Sequence, residues 1–350
     1  MTLLVLSLVG CLDAVPLDPR PLPPCNEPGN ICTWAGVPQA ARSDTSEGGL
    51  AVETYLNLPT DLAFAPDGTA YVADLDSHRI RSITADDARV YTIVGSPFLG
   101  DGPEGPLDGA NLTHPLRVTV DPTDAARLAV ASSQSDHLDL LDLDAGTLSF
   151  AAGADERGSW VPVDAAAYAA DGDLYFFESD DDVLRRLDRD GVVHDVAGAR
   201  GEAGQAEGRL AEARFDCGEG SLACGLAPAE AGLLVVDPRN HRVQRLDLAA
   251  GTLTTLLGGP DQLLQPMDAA EAPDGTVYVA DTANHCVVAV APDGGAFVAA
   301  GQCGANPGYG GDEGPADQAL LSNPAGVAVD RDGAVYVVDS GNHVVRRIAP

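Results

Sequence analysis

Residues 323–348 hold three short β runs joined by two turns, and the rest of the chain repeats that unit. Gly326–Val329 alternates like a strand, Asp330–Gly333 is a tight turn with glycine where a positive φ is needed, and Ala334–Val338 is the second strand. Asp339–His343 then turns the chain into Val344–Ile348. The second strand with its terminal carboxylate recurs at Tyr71–Asp74, Tyr175–Glu178, Leu234–Asp237 and Tyr278–Asp281, with a degenerate copy at Leu128–Ala131. A third strand follows each copy, and a fourth ends on Gly95, Gly153, Gly198, Gly258 or Gly301.

The period of roughly 45–60 residues suits four-stranded propeller blades. The last repeat reaches Pro350 without a fourth strand, while Cys32–Gly36 has the form of a fourth strand with no first three. Residues 31–36 are therefore expected to complete the blade begun at Asn323, which removes an exposed sheet edge. The expectation is an all-β, six-bladed β-propeller over residues 31–350, closed by its N-terminal strand.

Tyr-Val-Ala-Asp, then Asn-His-x-Val and an Ala-Gly strand end, as in Tyr278–Asp281, Asn284–Val287 and Ala300-Gly301, resembles the NHL repeat. The resemblance covers nearly all of residues 31–350. The copy at 115–153 lacks the Asp, and the copy at 160–198 has Asp181-Asp182-Val183 in place of Asn-His.

Some NHL proteins bind RNA on a basic propeller face. Here the formal charge is −33, with 53 acidic and 20 basic residues, and every basic residue is Arg. Phosphate backbones bind through neutralisation by Lys and Arg, so no nucleic-acid partner is expected. Arg185, Arg186, Arg346 and Arg347 sit at third-strand positions and are expected to pair with local carboxylates. The acidity serves solubility, fits an extracytoplasmic protein and permits Ca²⁺ binding, although no cofactor is expected.

Residues 1–10 form an apolar run too short to span a bilayer and matching a signal-peptide core. Leu8-Val9-Gly10-Cys11 resembles a bacterial lipobox, which implies lipidation of Cys11, although no Lys or Arg precedes the run. Residues 11–30 read as a Pro-rich tether. This implies a cell-envelope protein held by its lipid, and Leu12 suggests the outer membrane. Removing Cys11 from seven cysteines leaves six, as an oxidising compartment favours. Spacing predicts the disulfides Cys25–Cys32, Cys217–Cys224 and Cys286–Cys303, the last across a turn centred near Asp293-Gly294.

Candidate chemistry is sparse. His78, His137, His241, His285 and His343 are read at the repeat's own His position, as structural groups tying the corners at Asp74, Asp237, Asp281 and Asp339 to the next strand. Asp61, Arg117, Asp164 and Asp268 are expected to ring the mouth of the axial channel. Glu271 stands where other blades carry Phe64, Tyr168 or Val329, which makes it a further channel candidate. The connections 37–57, 96–114, 199–224 and 302–322 are long, with Phe98 and Tyr309 as isolated aromatics, whereas 154–162 and 259–266 are short. Loops on a rigid scaffold carry most binding residues, so this face is the candidate surface.

The reading is a monomeric binding or scaffold module that meets a protein or glycan at the cell envelope. The alternative is a metal-dependent channel enzyme, since similar six-bladed propellers include lyases and lactonases. No nucleophile elbow, metal-ligand pair of histidines or Gly-rich phosphate loop supports it.

Overall fold

The computed structural model describes residues 27–42, 47–100, 102–133, 135, 137–151, 163–178, 181–218 and 223–350. They form six antiparallel sheets, each meandering from an inner to an outer strand. Taking the inner strands in order, blade 1 starts at Pro59–Phe64, blade 2 at Pro115–Val120 and blade 3 at Val163–Tyr168. Blades 4, 5 and 6 start at Gly225–Ala229, Asp268–Glu271 and Pro324–Val329. Inner and second strands are almost wholly buried, because each packs between neighbouring blades. The apolar core is accordingly divided into clusters lying between blades, such as Tyr71, Val94, Leu112 and Val130 between blades 1 and 2.

The N-terminal strand closes the ring as expected. Asn30–Ala35 is the fourth strand of blade 6, pairing Ile31 with Ile348 and Thr33 with Arg346. Trp34 packs edge-on against Tyr336 at 4.9 Å, and Tyr336 meets Phe64 of blade 1 at 4.8 Å. The closure is therefore held by an aromatic cluster as well as by backbone pairing. Cys217–Cys224 and Cys286–Cys303 are disulfides, with Cα atoms 4.9 and 5.0 Å apart. Cys32 is disulfide-bonded too, and its expected partner Cys25 lies outside the described residues, as do the lipobox and Cys11.

The long connections do something the sequence reading did not anticipate. Four of them lay a two-residue strand along the outer edge of the blade they lead into. Gly49–Leu50, Gly105–Pro106, Gly208–Arg209 and Gly314–Pro315 make blades 1, 2, 4 and 6 five-stranded. A carboxylate just before each extends the cover by capping the outer strand. Glu47 accepts the Thr92 N–H at 2.7 Å, Glu104 that of Phe150 at 2.8 Å, Glu207 that of Thr255 at 3.0 Å, and Asp312 that of Thr33 at 3.2 Å. Strand plus carboxylate satisfy edge groups that would otherwise invite pairing with another chain. Glu207→Ala should lower stability by about 1 kcal/mol through loss of this hydrogen bond. Calorimetry should show a fall in Tm of about 2 °C with the fold unchanged, and an unaltered Tm would mean that water replaces the carboxylate at no cost.

Candidate functional site

The entries into blades 1, 5 and 6 are each fastened by two acceptors, one from the second-to-third-strand turn of the blade being entered and one from that of the blade being left. The corner carboxylates Asp74, Asp281 and Asp339 accept N–H bonds from Asn57, Leu264 and Ser322 at 2.6–2.7 Å, each just ahead of its own blade's inner strand. The following residue donates its N–H to the histidine of the preceding blade. Leu58 thus bonds His343 Nδ1 at 3.0 Å, Gln265 bonds His241 Nδ1 at 3.0 Å, and Asn323 bonds His285 Nδ1 at 3.2 Å. Asp182, where the repeat lacks its His, accepts the Cys217 N–H at 2.7 Å in the same way. His241, His285 and His343 thus join successive blades rather than closing their own corner, whereas among the described residues His78 makes no such bond and its ring packs edge-on against His114 at 4.5 Å.

His78, Asp182, His241, His285 and His343 all adopt positive φ, which in the last four brings the acceptor around to the next blade. The glycine ending the fourth strand is required by the same turn. A Cβ on Gly95 would lie 2.1 Å from the His78 carbonyl oxygen, and one on Gly198 would lie 2.1 Å from that of Asp182. His137 does not share this position. The third strand of blade 2, Leu138–Asp142, places Asp139 opposite Phe150, the position Arg81 takes opposite Thr92, so His137 is the counterpart of Arg79, one residue past the repeat's His. There it stacks on Phe150 at 3.8 Å and approaches Asp139 at 3.4 Å.

Three of the four predicted channel residues meet on the axis. Asp61, Arg117 and Asp268 occupy one register position of their inner strands, which is Ala165 in blade 3, Gly225 in blade 4 and Gly326 in blade 6. The small residues leave space for Arg117 to cross. Its guanidinium donates to the carbonyls of Thr60, Met267 and Ala325, in blades 1, 5 and 6. Asp61 accepts the Val118 N–H and Asp268 the Val327 N–H, both at 2.8 Å, again joining neighbouring blades. This is a buried plug that divides the channel, not a mouth.

Asp164 does not belong to the plug: it occupies the β-bulge one residue earlier, in register with Thr60, and is buried there. Glu271 lines the cavity below the plug, where it accepts from Arg245 at 2.7 Å and from the Glu230 N–H at 2.7 Å. Arg185 likewise pairs with Glu178 and Asp195, and Arg346 with Asp312, which accounts for arginines on third strands.

A funnel opens on each side of the plug. On the face of the long connections it measures about 550 Å³, with Leu58, Leu75, Leu116, Met267 and Ala325 giving it an apolar wall. Asp76, His114, Ser133, Gln265 and Asn323 add polar groups. On the opposite face a narrow cavity of about 190 Å³, lined by Leu62, Val118 and Val327, leads to a bowl of about 530 Å³ with Tyr168, Pro228 and Arg331. Tyr309, read as a candidate contact, is instead tied down between Thr33 and Asp312, with its ring beneath Arg346. Phe98 is exposed.

The NHL repeat family matches residues 321–348, the blade from which the other copies were read. The chain is a six-bladed β-propeller with an NHL repeat at residues 321–348. Over 310 residues it is 25% identical to Protein SUPPRESSOR OF QUENCHING 1, chloroplastic, of Arabidopsis thaliana, covering 85% of this chain and 25% of that one. The chain thus spans about a quarter of the length of that curated relative. Among solved structures it resembles a protein of unknown function from Bacteroides thetaiotaomicron, with a TM-score of 0.67 and 17% identity over 91% of this chain and 75% of that one. An auxiliary nutrient binding protein from the same organism matches with a TM-score of 0.65 and 16% identity, over 91% and 76% of the two chains. A streptogramin B lyase matches with a TM-score of 0.55 and 12% identity, over 91% and 96%. At these identities the likeness is one of fold.

Burial pushes several of the propeller's carboxyls up. Asp74 rises to about 6, and Asp268 and Asp339 to about 7, their hydrogen bonds and nearby arginines only partly opposing desolvation. A raised folded-state pKa gives stability that is complete below the unfolded value near 4 and lost as pH rises through the folded value. Burial lowers His78 and His343, which act in the opposite sense below about pH 6.5. Tm should therefore rise by about 2–4 °C between pH 8 and pH 6, and Asp268→Asn should flatten that rise. Arg117→Met should cost about 3–5 kcal/mol by leaving two buried carboxylates without their cation. Adding Asp61→Asn and Asp268→Asn should restore most of the loss in chemical denaturation, and no restoration would mean that Arg117 acts through its carbonyl contacts alone.

Proposed function

We propose that this propeller is an extracytoplasmic binding module, held at the cell envelope by a lipid on Cys11, which takes up part of an envelope protein or glycan in the funnel above the plug. The observation that carries this reading is the funnel itself. Its volume lies in the range of ligand sites, its wall is apolar, and a few polar groups converge on its rim. The two disulfides and the fold shared with proteins described as nutrient binding support the location and the class.

A channel enzyme or a Ca²⁺ site draws little support from the axial carboxylates. Asp61 and Asp268 already accept inter-blade N–H bonds beside Arg117, and Glu271 is bound to Arg245. The formal charge of −33 argues against a nucleic-acid partner and favours a monomer.

The test is a screen of the purified chain against arrays of envelope glycans and peptides, repeated with Leu75→Arg and Ala283→Arg, both at partly exposed positions of the funnel. Binding should fall about tenfold or more in each variant while Tm is kept, the loss expected from a buried unpaired charge in an apolar site. Binding that survives both changes would place the ligand elsewhere. Palmitate labelling of the chain in a bacterial host should disappear in Cys11→Ala, and labelling that persists would remove the lipid anchor from this reading.

A further inference from the structure

Four outer strands carry a fifth strand and a carboxylate cap, but among the described residues nothing covers the outer strand of blade 5, Ala296–Ala300. The connection leading into that blade, residues 259–267, is fully described and runs directly to the inner strand. Val298 pairs with Val288 as Thr92 does with Arg81 and Thr255 with Gln244, so Val298 is the counterpart of the capped residues. Its N–H faces outward without a Glu47 or Glu207 to meet it.

The side chains of this edge are apolar and exposed, Phe297 by 52% and Val298 by 40%. They lie between two grooves. One, of about 450 Å³, runs along Leu257 and Val288, and the other, of about 430 Å³, along Tyr278, Val335 and Ile348. Asp261 lines the first groove and Asp317 the second, and no Arg lines either.

We propose that this edge is a docking site for an extended segment of another protein, added as a fifth strand to blade 5, with successive side chains entering the two grooves in turn and Lys or Arg residues beside Asp261 and Asp317. Strand addition gives affinity through the main chain and selectivity through alternate side-chain pockets. Blades 1, 2, 4 and 6 show the geometry, since each accepts an antiparallel strand at the corresponding residues. Charge sets the occupant. A second copy would bring another −33 to the contact, whereas a cationic strand is attracted to it. The site is separate from the axial funnel and stands whether or not that funnel binds a ligand.

The probe is a fluorescein-labelled eight-residue peptide of alternating Val and Lys, titrated into the full chain by polarisation. Saturable binding is expected, weakened about tenfold or more when alternate peptide nitrogens are methylated, the loss expected from one or two main-chain hydrogen bonds. Val298→Pro should weaken it similarly, because proline there removes only the outward donor. Phe297→Asp alters an exposed side chain and should keep the fold while also reducing binding about tenfold or more. Hydrogen exchange at the Val298 amide should slow when peptide is added. Equal binding of the methylated peptide, or indifference to Phe297→Asp, would show attraction by charge alone and overturn the proposal. No saturable binding would overturn it as well, and so would a dimer in sedimentation that Phe297→Asp dissolves, which would assign the edge to a second copy.

Discussion

At four of its six blades the ring depends on finding acceptors for two consecutive N–H groups where the chain enters. That entry lies between packed sheets, where water is a poor substitute and an unmet N–H is costly. The blade being entered supplies its own corner carboxylate, and the blade being left supplies an imidazole, or the Asp182 carboxylate where histidine is missing. Each tie therefore registers two adjacent sheets. Where the arrangement recurs, at the entries into blades 1, 5 and 6, the Asp, the His and the glycine behind it recur together. Burying the carboxylates has its own cost, visible in the raised values at Asp74 and Asp339. Partners such as Asn284 and Asn342 on the second carboxylate oxygen limit that cost.

This explains how much could be read from the chain. Blade count, closure by residues 31–36 and two described disulfides were legible because each depends on local spacing. The division of labour within the repeat was not. A histidine beside its own Asp in sequence looks like a partner of that Asp, and only the positive φ turns it towards the next blade. His137 and Asp164 show how a single residue misleads: a turn or bulge out of step moves a side chain from one role to another while the spelling still fits. The plug was legible as a set of charged inner-strand residues, but the small residues opposite, Ala165, Gly225 and Gly326, make it a plug by letting Arg117 cross the axis. Those positions carried no signal as isolated residues.

The acidity also reads differently against the fold. Glu47, Glu104, Glu207 and Asp312 close outer edges, Asp61 and Asp268 join inner strands, and the corner aspartates seat the entries. A sizeable share of the carboxylates thus accepts backbone N–H bonds, a task for which a cationic side chain has no acceptor to offer. The arginines answer them one by one: Arg242 to Asp237, Arg245 to Glu271, Arg185 to Glu178. The excess negative charge lies mainly at turns and on the surface, where it costs little and keeps the edges of neighbouring molecules apart.

Loop length decides which edges are closed. From the last edge-strand residue to the first inner-strand residue the chain advances nine positions in three blades, Leu50 to Pro59, Pro106 to Pro115 and Pro315 to Pro324. That return crosses four strand spacings, about 19 Å, which takes about six extended residues. The outward run from the preceding blade needs a comparable number. Residues 259–267 cannot do both, so a connection of that length must leave its blade four-stranded. In blade 4 the return from Arg209 to Gly225 is longer and contains the Cys217–Cys224 disulfide. A short connection into blade 5 therefore has a consequence at the far side of that blade: it leaves Phe297 and Val298 at an edge which the longer connections close elsewhere.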